Sequence, residues 1–239
     1  MESSKIKVFV DFDGTISLLD VGREIFYTFG NKEKAEEIVS QFQNGIITSR
    51  QCWDLLIKNL NYFNHQKLIE LIDNIPIDQT FKDFVQFCKN NHIEIFILSD
   101  GFDFYIERIL NRENLKDIPF YANSLKVEGE KLLISFPYFN PDYPHSSNPK
   151  MIHIIDNSSD EDFTIYIGDG NSDKEAAQYC DLIFAKDNLL KHCEKNRISF
   201  YPFKNFLDIK EQISKLLSKK RLRKSYQAFL KRKLAYEAE

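Results

Sequence analysis

Apolar and polar positions divide the chain into alternating segments. Residues 6–10 are a β-branched and aromatic run that stops at Asp11-Phe12-Asp13-Gly14-Thr15. The run predicts a strand, and Gly14 supplies a turn after it. From Asp20 to about Asn74 the pattern is helical: Ile25, Phe26 and Phe29 share a face, as do Leu55, Leu56, Asn59 and Leu60. Thr48-Ser49 before Arg50-Gln51 predicts a helix start. No strand is expected here, so residues 16–75 read as a small helical domain inserted after the first strand. Pro76 marks the return. Phe81, Phe84, Val85 and Cys88 line a helix, and residues 93–98 form an almost wholly apolar strand, as in a parallel sheet covered on both faces. That strand ends at Ser99-Asp100-Gly101. A helix with Phe102, Tyr105, Ile106 and Ile109 in register follows.

Residues 123–127 and 131–136 flank Glu128-Gly129-Glu130, a hairpin signal. Residues 140–149 contain three prolines and predict a loop. Lys150 opens a helix through Asp156. Residues 163–167 form another buried strand, ending at Gly168-Asp169-Gly170-Asn171-Ser172-Asp173. A helix through Tyr179 and a strand at Leu182–Ala185 complete the pattern. The alternation predicts an α/β fold with a doubly wound parallel sheet, whose ligands bind beyond the carboxyl ends of its strands. The expected division is a core of residues 1–15 and 76–217, a helical cap of residues 16–75, and a basic helical extension of residues 218–239. Residues 219–239 carry eight Lys/Arg and two Glu. They read as a solvated helix, with a docking arm for an acidic partner or phosphorylated substrate as the alternative.

Composition narrows the function. The chain has 239 residues, 43% hydrophobic and 28% charged, which suits an ordered core. A net charge of −4 gives no nucleic-acid footprint, so no nucleic-acid partner is expected. Cys52, Cys88, Cys180 and Cys193 form no Cys-x-x-Cys pair, which gives zinc and thioredoxin-type chemistry no support. They read as reduced thiols of a cytoplasmic protein. No signal peptide precedes the first strand, and no stretch is apolar enough to span a membrane, so neither secretion nor a membrane partner is expected.

The chemistry gathers at strand ends. Asp11 and Asp13 stand two apart, and extended geometry would turn both to one side. Two such carboxylates repel unless a cation lies between them. Mg²⁺ is the natural partner, since it takes one or two carboxylates and leaves room for phosphate. Asp169 can supply a second carboxylate ligand, and Asp173 can hold a metal-bound water. A carboxylate can also attack phosphorus to give an aspartyl-phosphate. Asp11, nearest the strand, fits the nucleophile; Asp13 can protonate the leaving alcohol and then deprotonate water. The Ser99 hydroxyl and the N–H groups of Asp100 and Gly101 can grip phosphate oxygens, and Lys150 can neutralise charge between nucleophile and phosphate. Singly, each feature has a plain alternative: a turn with capping aspartates, a helix cap at Ser99, a surface lysine, a Gly-Asp-Gly turn. A calcium loop lacks its Glu at position twelve, which is Gly22. The joint order argues for a phosphatase site.

At these residues the sequence resembles the haloacid dehalogenase superfamily of phosphohydrolases. Asp11-Phe12-Asp13-Gly14-Thr15 resembles its first motif, Ser99 the second, Lys150 the third, and Gly168-Asp169-Gly170-Asn171-Ser172-Asp173 the fourth. The resemblance spans about residues 5–186. It implies a Rossmann-like core, Mg²⁺, and the Asp13 backbone carbonyl, rather than its side chain, as a metal ligand. The helical insert matches the cap of the phosphoserine phosphatase-like branch. Within that branch the likeness is to the methionine-salvage phosphatases, through Ser99-Asp100-Gly101-Phe102-Asp103-Phe104 and residues 181–190. It implies 2-hydroxy-3-keto-5-methylthiopentenyl-1-phosphate as substrate. The chain departs from its relatives at Ser146-Ser147-Asn148-Pro149, where they often carry cysteines.

In the cap, Phe26, Phe29, Phe42, Trp53, Tyr62 and Phe63 can line a pocket for an apolar tail or form the cap's own core. Arg23 and Arg50 can meet a substrate carboxylate, or Arg50 can be solvated. Asp20 is expected on the cap side of the site. The sequence predicts hydrolysis of a small phosphorylated metabolite by a monomer or homodimer. A phosphoserine phosphatase-like enzyme, a phosphotransferase with the same intermediate, and a phosphate-binding regulatory protein are the alternatives.

Overall fold

In a computed structural model, which describes residues 5–61 and 63–236, β1 (Ile6–Asp11) lies at the centre of a seven-stranded sheet. Tyr62, among the expected cap aromatics, and residues 237–239 of the expected C-terminal helix lie outside the described residues. β2 (Glu94–Phe102), β3 (Phe120–Glu128), β4 (Lys131–Ser135), β5 (Phe163–Gly168), β6 (Leu182–Ala185) and β7 (Tyr201–Pro202) complete the order β4-β3-β2-β1-β5-β6-β7. All pairs are parallel except the β3–β4 hairpin. In β1, Val8 and Val10 enter one buried cluster and Phe9 the other. A strand covered on both faces shows little polar alternation, and Lys7 near the start of β1 is the one polar residue among residues 6–10.

Four short helices separate β1 from the rest of the sheet: α1 (Val21–Phe29), α2 (Lys32–Gln43), α3 (Ser49–Lys58) and α4 (His65–Asp73). Each starts at a polar cap. Asp20, Asn31, Thr48 and Asn64 accept from the backbone N–H three residues on, and Thr48 with Gln51 forms a capping box. The excursion leaves and returns side by side, since Leu18 N donates to Pro76 O and Asp78 N to Ile16 O, both at 2.9 Å.

The remaining helices cover the sheet: α5 (Thr80–Asn90), α6 (Asp103–Arg112), α7 (Lys150–Asp156), α8 (Asp173–Ala176), α9 (Asp187–Asn196), α10 (Phe206–Leu217) and α11 (Tyr226–Tyr236). Phe81 and Phe84 of α5 pack on Phe206 of α10 at 4.7 and 5.4 Å between ring centroids.

Two expectations fail. β2 does not stop at Leu98 but continues through Ser99-Asp100-Gly101 to Phe102, with a register shift against β3. Side-chain amides hold this stretch extended: Asn148 Nδ2 donates to Ser99 O and Asn123 Nδ2 to Asp100 O, both at 2.7 Å. The basic C-terminal segment is not helical from 219, and its helix is not simply solvated. Residues 219–225 are irregular, where five like charges in six positions disfavour a helix. α11 turns Ala228 and a fully buried Arg232 onto the core, and Arg232 Nη1 donates to Tyr179 O and Thr164 Oγ1 at 2.5 and 3.2 Å.

Candidate active site

β1 delivers a buried Asp11 to the carboxyl edge of the sheet, beside the ends of β2 and β5. Lys150, the first residue of α7, is buried below it. Its Nζ donates to Asp11 Oδ1 at 2.5 Å and to Asp173 Oδ1 at 2.7 Å. Asp173 Oδ1 also accepts from the Tyr166 hydroxyl at 2.6 Å, and its Oδ2 from the N–H groups of Asp169 and Gly170 at 3.0 and 2.8 Å. Those four bonds fill the acceptor capacity of a carboxylate. Asp169 accepts from Thr15 Oγ1 at 2.7 Å and keeps free lone pairs. Gly14 makes this approach possible. Its φ is +79°, and a Cβ there would lie 2.7 Å from Asp169 Oδ2.

One carboxylate oxygen from each of Asp11, Asp169 and Asp173 lies within 4.8 Å of the others. Three carboxylates against one ammonium leave two negative charges uncompensated. Burial, then the Asp173 charge, holds the Asp11 carboxyl well above the usual range and pushes Asp169 up to about 6. Burial would also raise Asp173, but Lys150, Tyr166 and the Gly170 N–H together hold it below its ordinary value. Burial would lower Lys150, yet the Asp11 and Asp173 charges keep it above. An all-oxygen donor set with this charge fits a hard divalent cation.

Asp13 is elsewhere, which corrects the expectation that Asp11 and Asp13 face one way across a shared cation. The strand ends at Asp11, and Phe12–Ile16 make a wide turn closed by Ser17 N donating to Phe12 O at 3.0 Å. The Asp13 side chain therefore leaves the metal cluster. Its Oδ1 accepts from Val21 N at 2.9 Å, and its Oδ2 from the Tyr105 hydroxyl and Ser99 Oγ at 2.9 and 3.1 Å. Burial, then the Asp20 charge, raises Asp13 to about 7.

The phosphate-gripping loop also differs from expectation. Gly101 N donates to Ser99 Oγ at 2.9 Å, so that N–H is already engaged. The half-buried Asp100 carboxylate accepts from Ser147 Oγ at 2.6 Å and from Ser49 Oγ of α3 at 2.7 Å. Asp100 thus joins the helical insert to the loop before Lys150. Burial keeps it above its ordinary value. Ser147 and Asn148 are both buried and hold the strand end.

A cavity of about 460 Å³ opens over Asp11, Asp13, Ser99, Asp100, Gly101 and Asp169. Asp20 and Arg23 lie on its wall, as do Phe26, Val39, Phe42, Trp53 and Leu56. Asp20 also caps α1. Phe29 and Phe63 pack on each other instead, at 6.0 Å. Arg50 faces away, its guanidinium 4.1 Å from the Phe139 ring. The sequence reading missed Thr15, Tyr105 and Tyr166. A tyrosine at a buried apolar position, whose hydroxyl needs a partner, was the available signal for the last two.

A family model described as Putative Phosphatase matches residues 6–197. A 2-hydroxy-3-keto-5-methylthiopentenyl-1-phosphate phosphatase of Bacillus cereus is 34% identical over 224 residues, covering 90% of this chain and 99% of the relative. A phosphatase of the same name from Bacillus anthracis matches at the same identity and coverage. Among solved structures, a substrate-bound phosphoserine phosphatase superposes with a TM-score of 0.67 at 21% identity, covering 89% of this chain and 99% of its own. A haloacid dehalogenase-family hydrolase of Salmonella enterica superposes at 0.71 and 16% identity, with 92% and 73% covered. With its motifs at the strand ends of a haloacid dehalogenase-like fold, the chain belongs to the Putative Phosphatase family, and it is a phosphoric monoester hydrolase.

Proposed function

We propose that Asp11 attacks the phosphorus of a small phosphate monoester and carries the phosphoryl group as an aspartyl-phosphate. The single observation behind this reading is the separation of the two aspartates: Asp11 sits in the cation cluster, while Asp13 is held apart on the cavity wall. Asp13 protonates the departing alcohol as the P–O bond breaks. It then takes a proton from the water that cleaves the acyl phosphate, releasing phosphate and restoring Asp11. A carboxyl near pH 7 suits both transfers. Lys150 holds Asp11 and Asp173, and Ser99 donates to a phosphate oxygen. Asp11, Asp169 and the Asp13 carbonyl would hold Mg²⁺, which would supply neutralisation of phosphate charge. Asp173, its acceptors filled, positions Lys150 and the Asp169-Gly170 turn. A solved relative is a phospho-aspartyl intermediate analogue of phosphoserine phosphatase, which supports the same chemistry here.

Residues 16–75 act as the cap, residues 1–15 and 76–217 as the core, and residues 218–239 as an extension that α11 fastens to it. The substrate reading is 2-hydroxy-3-keto-5-methylthiopentenyl-1-phosphate. The relatives of that name support it, as does the apolar wall of Phe26, Val39, Phe42, Trp53 and Leu56 facing the phosphate residues, which suits a methylthio tail. Phosphoserine is the second reading, favoured by Arg23 on the cavity wall as a partner for a carboxylate. The test is kcat/KM over a panel of phosphorylated metabolites that includes both compounds and simple alkyl phosphates. A preference for the methylthio compound supports the first reading; preference for phosphoserine replaces it; equal rates throughout remove a dedicated substrate. The four free, buried cysteines suit a reducing cytoplasm. Among the described residues, no helix is long and apolar enough to cross a membrane.

A further inference from the structure

Tyr105 lies in α6, fully buried, with its hydroxyl on the carboxyl of Asp13. Asp13 holds three bonds: Val21 N on Oδ1, and Tyr105 and Ser99 together on Oδ2. Ser99 has one hydroxyl proton. If it turns that proton to a phosphate oxygen, Tyr105 becomes the sole side-chain donor left on Asp13 among the described residues. A phenol can also reverse its bond, donating to the carboxylate and accepting from the acid, so Asp13 keeps a partner in both protonation states.

The backbone is cleared at this point. A Cβ on residue 101 would lie 1.6 Å from the Tyr105 hydroxyl oxygen and 2.7 Å from Asp13 Oδ2. Glycine at 101 therefore admits the phenol to the carboxyl, a requirement separate from the Gly101 N–H bond to Ser99. We propose that Tyr105 is a positioning residue for the leaving-group step, holding the Asp13 carboxyl in place while Ser99 engages the phosphate. This rests on the reading of Asp13 as the general acid.

The experiment compares leaving groups. p-Nitrophenolate departs with little protonation, whereas an alkoxide needs an acid. kcat/KM reports the phosphorylation step, so it is measured with Mg²⁺ for p-nitrophenyl phosphate and for the fastest alkyl phosphate of the panel. The proteins are wild type, Tyr105→Phe and Asp13→Asn. Tyr105→Phe is expected to lose about tenfold on the alkyl ester, a fraction of what a general acid supplies, with little loss on p-nitrophenyl phosphate. Asp13→Asn is expected to show the same selectivity more strongly. Equal losses of Tyr105→Phe on both esters would mark a merely structural role and overturn the proposal, as would no loss on either. If Asp13→Asn loses both esters equally, the general-acid reading itself fails; if it is selective and Tyr105→Phe is not, only the Tyr105 proposal fails. Should Tyr105→Phe not fold, Tyr105→Met also removes the hydroxyl while leaving residue 101 and Asp13 unaltered, and the same selective loss is required of it.

Discussion

Replacing Lys150 with Met keeps an unbranched stem and removes the ammonium that faces Asp11 and Asp173 at 2.5 and 2.7 Å. All three groups are buried, so water cannot take over the lost charge. Removing one partner of a buried ion pair costs about 3–5 kcal/mol. At roughly 2–4 °C per kcal/mol for a chain of this size, the melting temperature of metal-free protein should fall by about 6–20 °C. The pH dependence carries the sign. The folded Asp11 carboxyl already titrates above its ordinary value, so the folded state binds more protons than the unfolded one as pH rises through that window, and stability falls. Losing Lys150 raises Asp11 further and removes the partner that holds Asp173 low. The penalty should therefore be largest near pH 8 and shrink toward pH 5, where the carboxylates can protonate. Urea melts of both proteins at the two pH values, with chelator present, measure it. A cost below about 1 kcal/mol, the range of a surface pair, or one independent of pH, would refute the charge-balancing account of Lys150.

Three further outcomes are expected. Gly14→Ala places a Cβ 2.7 Å from Asp169 Oδ2 in a left-handed conformation; it should cost about 1–2 kcal/mol in thermal melts and raise the Mg²⁺ concentration needed for half-maximal rate. His153 is held down to about 4 by burial, while the unfolded imidazole titrates near 6.5, so stability should fall by up to about 3 kcal/mol as pH drops between them. In His153→Gln that part of the pH dependence should be absent from urea melts. Arg232→Met should loosen α11, seen as faster tryptic cleavage within residues 219–224, while kcat/KM stays unchanged because its partners Tyr179, Thr164 and Asp181 lie outside the site.

The sheet was legible because its central strands are buried on both faces and so read as largely apolar runs, broken only by Lys7, Glu94 and Thr164, each run closed by an unusual polar cluster. Asp11 and Asp169 stand at the ends of such runs, whereas Lys150 opens a helix after a loop and drew notice only together with them. Asp13 could not be placed this way. Its side is set by the turn that starts one residue after Asp11, and by Tyr105, which lies 92 residues away in sequence. Tyr105 and Tyr166 sat at apolar helix and strand positions, where periodicity records the ring and is silent about the hydroxyl. Asp100, next to Ser99, read as a phosphate neighbour because its actual partners, Ser49 and Ser147, arrive from separate parts of the chain. Arg232 was hidden for a related reason: in a run of basic residues, nothing local tells the one buried guanidinium from the solvated charges around it.

The central claim is that Asp11 becomes phosphorylated. The direct measurement is Mg²⁺-dependent hydrolysis of p-nitrophenyl phosphate by wild type and Asp11→Asn, with thermal melts to confirm that both are folded. The account predicts turnover by wild type and only background release by the folded Asp11→Asn protein. Equal rates in the two proteins would contradict it.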